Sequence, residues 1–385
     1  MKHYLRFLFS LIIISLFCAC GKKDEPQLPE TKTRFAVLVY MVASNSLGAS
    51  GYDAADIKEM ENAAGQIPDG TRWLVYHAPS NSDQPVLKEL NSDGTWTALK
   101  EYTPRQSATP ERLSEVIRDF REICNPEADG IVFWSHASGW LEDGAVNAVP
   151  GMQKSFGVDF GTRMNLTAMA PVLEKAPFRF LYFDACFMGT VEVVYELRKS
   201  ADYIVASPAE VPAAGMPYQH NLPLLLDGTI ESLKEAAVNT FNLYDSQSDP
   251  EMRTCTMTVV RTDALERLAA ATAPIYLKTP LAHPLTTATN YRGTTVTGYS
   301  LDLGEYVTAL CDEHGIPDSE RTEFESALNS AVIYCAATPR LWNSWPLNNP
   351  TGLATYVFND PAKYDTKGYD RLQWAQDVVK PRLDL

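Results

Sequence analysis

The sequence has few positive charges and no segment in which they are concentrated. Its 33 lysines and arginines are outnumbered by 48 aspartates and glutamates, which gives the 385 residues a formal net charge of −15. A strongly acidic chain without a Lys/Arg-rich run repels phosphate backbones, so the sequence argues against nucleic acid as a partner. The same charge attracts cationic substrates.

Motifs for metal binding and for a disulfide framework are also missing. The seven cysteines include no C-x-x-C pair, no His/Cys/acid cluster has zinc spacing, and the acidic residues show no EF-hand spacing. The serine-hydrolase and metalloprotease signatures G-x-S-x-G and H-E-x-x-H are absent as well. We therefore expect no metal and no cofactor. Five cysteines remain beyond the N-terminal segment: Cys124, Cys186, Cys255, Cys311 and Cys335. Because this number is odd, at least one of them is expected to be a free thiol.

The N-terminus has the pattern of a signal peptide over residues 1–19. Two basic residues precede an apolar run at 7–17 that is too short to span a bilayer as a helix. Because the small residue Ala19 stands before Cys20, the run resembles a bacterial lipoprotein box in which Cys20 is lipidated. Cleavage near Ala19 with a freely secreted product is the alternative.

A polar segment follows the proposed anchor. Residues 20–33 contain proline and show no apolar period, which is typical of a flexible tether. Residues 23–25, a lysine and two acids, resemble a signal that sends some lipoproteins to the cell surface, and a solvated charge cluster is the alternative. We expect a monomeric bacterial outer membrane lipoprotein, on the cell surface or the periplasmic face, that touches the membrane through its lipid only.

Strands and helices alternate through the next part of the chain. A helix that begins at Thr109-Pro110-Glu111, for example, carries apolar residues with a 3.6-residue period as far as Cys124. Alternation of this kind specifies an α/β fold with a mainly parallel sheet flanked by helices. The strand-like runs are 35–42, 73–77, 131–136, 180–186 and 203–207.

The second half of the chain is more helical. It holds two further strand-like runs, 254–260 and 352–358, which either extend the same sheet or build a small subdomain. Because no repeat and no second linker separates the parts, we expect a catalytic core at 34–225 and, at 226–385, a C-terminal part of the same unit.

Two of the apolar runs end in a reactive side chain, His136 and Cys186. If the two strands are parallel neighbours, their chains lie about 4.8 Å apart and both side chains emerge at the edge where such sheets bind ligands. A histidine beside a thiol stabilises the thiolate and then protonates a leaving amine. The backbone N–H groups of Ala137 and Cys186 are placed to bind the oxyanion. Taken singly, Cys186 has the alternative of being a buried inert cysteine, and His136 that of being a core histidine.

The segments around these residues resemble one known family. Residues 134–140 resemble the histidine motif of the clostripain family of cysteine peptidases, and residues 183–189 resemble its cysteine motif. Weaker similarity extends the resemblance over about residues 35–305. It implies a caspase-like fold, a His/Cys dyad and cleavage after arginine or lysine.

The resemblance also assigns roles within the site. His136 becomes the general base and acid and Cys186 the nucleophile, while Asp184 lines the pocket for a basic side chain or serves as a structural acceptor. Glu210 is the remaining acidic candidate after the strand that ends near Ser207. The implied enzyme is an endopeptidase that hydrolyses protein or peptide substrates through an acyl-enzyme on Cys186.

Two further expectations follow from the family pattern. Ala137 stands where the family usually has glycine, so a requirement for positive φ there would strain the backbone and misaim an oxyanion donor. This departure motivates the alternative of a catalytically impaired surface lipoprotein that binds peptides or proteins. Many members cut themselves between the two dyad strands, and Lys154 is the expected site of self-processing.

Overall fold

A nine-stranded sheet forms the centre of the protein. The computed structural model describes residues 32–141, 156–281, 285, 287–294, 298–360 and 366–382. The strands are β1 (Thr33–Val42), β2 (Thr71–Ala78), β3 (Val86–Leu90), β4 (Trp96–Glu101), β5 (Pro126–Trp134), β6 (Phe156–Asp159), β7 (Thr162–Met164), β8 (Phe178–Asp184), β9 (Ala201–Ala206), β10 (Thr256–Arg261), β11 (Asn290–Thr294), β12 (Gly298–Asp302), β13 (Val332–Ala337), β14 (Arg340–Leu341), β15 (Trp345–Pro346) and β16 (Ala354–Phe358).

The middle of the sheet is parallel and its margins are antiparallel. The strand order is β13-β10-β9-β8-β5-β1-β2-β3-β4, and β9, β8, β5, β1 and β2 run in one direction. Hairpin strands β3 and β4 close one margin, and β10 and β13 close the other. The central strands are buried along most of their length because helices cover both faces.

Ten helices pack on the two faces in the described part of the chain. One apolar cluster holds residues of α3, α4, α5, α8, α9 and α10, and the cluster on the opposite face holds residues of α2, α6 and α7. The helices are α1 (Ser46–Ala49), α2 (Tyr52–Ala63), α3 (Pro110–Cys124), α4 (Leu166–Glu174), α5 (Val191–Glu196), α6 (Tyr218–Asp227), α7 (Ile230–Asp245), α8 (Leu265–Leu277), α9 (Leu303–His314) and α10 (Asp318–Ala331).

The predicted α/β architecture is confirmed. The apolar period of α3 marks its buried side, and Thr109 caps this helix by accepting a hydrogen bond from the Arg112 N–H at 3.1 Å. The two later strand-like runs, 254–260 and 352–358, have different outcomes. Strand β10 extends the central sheet, whereas β16 joins β11 and β12 in a separate three-stranded sheet.

Several expectations fall on residues outside the described part. They are the signal peptide at 1–19, the anchor Cys20, most of the tether at 20–33 and the processing site Lys154. Within the described ranges, no helix is both long enough and apolar enough to cross a membrane.

The loops that follow β5 and β8 approach each other closely. Gly139 has a φ of 72°, and a Cβ atom built on it would lie 2.9 Å from the carbonyl oxygen of Phe187. Phe187 itself has a φ of 61°, and its N–H donates to the Ala209 carbonyl at 2.9 Å. A side chain at position 139 would therefore be unfavourable for two reasons, the left-handed backbone and the close contact with the Phe187 carbonyl oxygen.

The C-terminal part of the chain supports both loops. The ring of Trp140 packs edge-on against Tyr356 and Tyr369, with centroids 5.0 and 4.8 Å apart. The buried carboxyl of Glu192, on α5, accepts hydrogen bonds from the Tyr356 N–H at 2.8 Å and the Tyr369 hydroxyl at 3.2 Å. Strand β16 also donates from the Ala354 N–H to the Gly189 carbonyl at 3.1 Å. These contacts fix the two loops relative to one another.

We expect Gly139→Ala to destabilise the protein more than an equivalent change elsewhere. The left-handed backbone alone costs alanine about 1–2 kcal/mol, and the Phe187 carbonyl adds a steric cost. Gly315→Ala is the matched control, because Gly315 has a φ of 62° and open space around its Cβ position. Urea denaturation measures both free energies of unfolding. Equal losses in the two variants would show that the loops do not press on each other.

Candidate active site

His136 and Cys186 lie at the same edge of the central sheet. Strands β5 and β8 are parallel neighbours in which Trp134 is paired with Asp184, and each reactive residue follows its strand by two positions. Both side chains are partly buried and line one cavity of about 280 Å³. The structure therefore brings together the imidazole and the thiol that the sequence singles out.

The thiol of Cys186 packs against the backbone of Val211. The Val211 N–H donates to Sγ at 3.4 Å, and the thiol donates to the Val211 carbonyl oxygen at 3.7 Å. These two contacts hold the sulfur against the backbone of the loop after β9. The segment around Val211 follows β9, so three neighbouring strand ends contribute to the site.

The loop that carries His136 is held by neighbouring strands. The carbonyl of His136 accepts from the Gly157 N–H at 3.0 Å, and Ala137 forms an antiparallel bridge with Phe156. The side chain of His136 lies 2.7 Å, through Nε2, from the hydroxyl oxygen of Ser46. The backbone of Ala137 does not take a positive φ, so the strain that an alanine would suffer there does not arise.

Asp184 forms part of the cavity wall beneath the reactive pair. Its side chain is buried and accepts a hydrogen bond from the Met216 N–H at 3.3 Å. Gly215 has a φ of 63°, and a Cβ there would lie 2.6 Å from Asp184 Oδ2, so only glycine leaves room for the carboxyl. Burial raises the pKa of Asp184 above its ordinary value.

A second buried acid lies behind Asp184. The indole N–H of Trp134 donates to the Asp56 carboxylate at 2.6 Å, and Trp134 is the register partner of Asp184. Burial, and then the charge of Asp184, raise the pKa of Asp56. Because like charges in a dry site cannot both ionise easily, Asp56 is the carboxyl that holds a proton.

The loop after β9 and the C-terminal part of the chain also contribute to the cavity lining. Glu210 is half-buried and lines the same cavity as Asp184. Trp342, which precedes β15, is part of this lining, and its backbone N–H donates to the Thr254 hydroxyl at 3.2 Å. The lining thus combines the carboxyl groups of Asp184 and Glu210 with apolar surface from Trp342 and Leu47.

Sequence reasoning missed several residues of the site, among them Ser46, Val211 and Trp342. Val211 acts through its backbone, which no side-chain pattern can mark. Trp342 is far from both motifs along the chain. For Ser46 there is a signal, since Asn45, shortly after the end of β1 at Val42, is a typical helix N-cap, but this signal predicts a turn and not a contact with His136.

The donor set does not favour a metal ion. Among the residues that the structure describes, no group of three or more His, Cys, Asp or Glu side chains is arranged to hold one. What the cavity does offer is a thiol and an imidazole, the nucleophile and the base used for attack on a carbonyl group, together with carboxyl groups in the same lining.

The comparisons with known proteins agree with this chemistry. The model of the clostripain family matches residues 39–280, well over half of the chain. An inactive zymogen C11 protease from Parabacteroides distasonis is 26% identical, with a TM-score of 0.78, over 90% of this chain and 99% of its own. A secreted C11 cysteine protease from Bacteroides thetaiotaomicron, solved with an irreversible peptide inhibitor, is 24% identical over the same shares, with a TM-score of 0.76, and shows the fold alone.

A cysteine protease from B. fragilis is 25% identical, with a TM-score of 0.52, over 59% of this chain and 98% of its own. The comparison with curated proteins gives no match. The family match and the shared fold agree with one another, and the chain belongs to the clostripain family of cysteine peptidases.

Proposed function

We propose that this protein is an endopeptidase in which Cys186 is the nucleophile and His136 is the general base and acid. The observation that carries the proposal is that both side chains line one open cavity at the ends of adjacent parallel strands. Membership of a cysteine peptidase family adds to this support and implies protein or peptide substrates.

The proposed reaction has two steps. His136 takes the thiol proton, the Cys186 sulfur forms a bond to the carbonyl carbon of the scissile peptide, and the resulting oxyanion accepts from the N–H groups of Ala137 and Cys186. The C–N bond then breaks as His136 returns the proton to the leaving amine. In the second step His136 takes a proton from water, which attacks the thioester and releases the carboxylate product and the free thiol.

The proposed preference is for arginine or lysine before the scissile bond. Asp184 would pair with the basic side chain inside the cavity, and Glu210 would add a second negative charge at its wall. The alternative role for Asp184, as an acceptor for backbone N–H groups, draws support from its bond with Met216. One carboxyl has room for both roles because each oxygen can accept more than one hydrogen bond.

The alternative function is a catalytically impaired protein that binds peptides. Alanine in place of glycine at position 137 is the reason to consider it. The backbone of Ala137 has no positive φ, which supports the enzyme instead. We therefore favour the enzyme.

We further propose lipidation at Cys20, an outer membrane location, and self-processing after Lys154. The sequence motifs carry these proposals. The mass of the protein recovered from a separated outer membrane fraction tests all three, since it would include the lipid and the cut, and Cys186→Ala should lack the cut.

We expect Cys186→Ala to abolish cleavage of fluorogenic peptides that end in arginine or lysine. Removal of a nucleophile costs at least about 1,000-fold in turnover. The matched control is Cys335→Ala, which removes an exposed thiol outside the cavity. Iodoacetamide should inactivate the unchanged protein, and a chelator should not. Cleavage that persists in Cys186→Ala would refute the proposed nucleophile, and no turnover in the unchanged, processed protein would favour the binding alternative.

We expect Asp184→Asn to lower kcat/KM for basic substrates by about 100-fold through loss of a buried charge pair. The unchanged enzyme should lose kcat/KM for these substrates as the pH falls through the mildly acidic range. The reason is that the raised pKa of Asp184 leaves its carboxyl neutral there. The variant should lack this acidic limb, and Glu210→Gln should retain it. A glutamine substrate, uncharged at the same position, is the control, and an equal loss for both substrates would refute the specificity role.

A further inference from the structure

We propose that Ser46 is a positioning residue for His136, which holds the imidazole ring at the edge of the cavity and stabilises the ring when it becomes charged. The inference rests on the proposed function and adds a third side chain to the pair. The observation behind it is the 2.7 Å contact between the Ser46 hydroxyl oxygen and His136 Nε2.

Ser46 is held in place by the residue that precedes it. Asn45 caps helix α1 and accepts the Leu47 N–H at 2.9 Å. Its amide group donates to the Val42 carbonyl at 2.8 Å and to the Val158 carbonyl at 3.0 Å. These bonds tie the turn that carries Ser46 to the end of β1 and to strand β6.

His136 is held in the same way by its own neighbour. The hydroxyl of Ser135 donates to the Val42 carbonyl at 2.8 Å and accepts from the Asn45 amide at 3.2 Å. It also accepts from the Val158 N–H at 3.3 Å. Asn45 and Ser135 thus belong to one polar network, and Ser46 and His136 are the residues that follow them in the chain. The network fixes the spacing between the Ser46 and His136 side chains.

The contact acts on the charged form of the ring. When His136 takes the proton of Cys186 the ring becomes a cation and both of its nitrogens are donors. The hydrogen bond from Nε2 to the Ser46 oxygen is then charge-assisted and stronger. Ser46 thus favours the thiolate–imidazolium pair over the neutral pair.

A structural role alone does not explain the serine. The N-cap of α1 is the side chain of Asn45, so alanine at position 46 would leave the cap in place and would suit the helix. The other titratable groups that line the cavity are Asp184, Glu210 and Cys186 itself, and none of them changes in the variants below.

The test compares Ser46→Ala with Ser46→Thr, which keeps a hydroxyl, and with Ser50→Ala, which removes an exposed serine from the same segment. We expect Ser46→Ala to lower kcat about tenfold with little change in KM, as for the loss of a hydrogen bond to a charged group. Ser46→Thr should recover most of the activity, and Ser50→Ala should match the unchanged enzyme.

Alkylation of Cys186 by iodoacetamide, followed by mass spectrometry in a Cys335→Ala background, gives a second measurement that needs no substrate. In Ser46→Ala the pH profile of the alkylation rate should move upward by about half a unit or more, and Ser46→Thr should restore it. A profile and kcat in Ser46→Ala equal to those of Ser50→Ala would overturn the inference.

Faster turnover in Ser46→Ala would also overturn it, since Ser46 would then hold the ring away from the thiol. If the unchanged protein shows no Cys186-dependent cleavage, the proposed function fails, yet the alkylation profile still decides whether Ser46 acts on the thiol through His136. Thermal unfolding of each variant separates these outcomes from a loss of folded protein.

Discussion

The parallel pairing of β5 with β8 is the interaction on which the rest of the structure depends. This register sets Trp134 beside Asp184 and leaves His136 and Cys186 each two residues beyond the last pair. A shift of the register by one residue would move the side chains of one strand to the opposite face of the sheet and separate the reactive groups. Burial on both faces, with Phe133 stacked on Phe183 at 5.2 Å, makes such a shift costly.

Below this pair the same two strands organise the acidic part of the site. Trp134 binds Asp56 through its indole, while Asp184 faces the cavity and takes a backbone hydrogen bond from Met216. Burying two carboxyl groups together disfavours their ionisation, so the arrangement costs stability at neutral pH. A positively charged substrate side chain in the pocket would lower that cost. Without such a side chain, the two carboxyl groups remain partly neutral.

The sequence predicts the strands that carry the chemistry because those strands are long, apolar and buried on both faces. It reveals β10 but not the other strands at the margins of the sheet. In β4, for example, no residue of 96–101 is fully buried and two carry charges, so no apolar run marks the strand. The His136 and Cys186 positions follow from strand ends, whereas Ser46, Val211 and Trp342 enter the site through tertiary contacts that no local pattern encodes.

Covalent trapping tests most directly whether the thiol and the imidazole act as one unit. A peptide with a C-terminal arginine chloromethyl ketone should label the protein once, on Cys186, and the rate of labelling should fall by about 100-fold or more in His136→Gln. Unlabelled Cys186, label confined to the exposed Cys335, or an unchanged rate in His136→Gln would contradict the account.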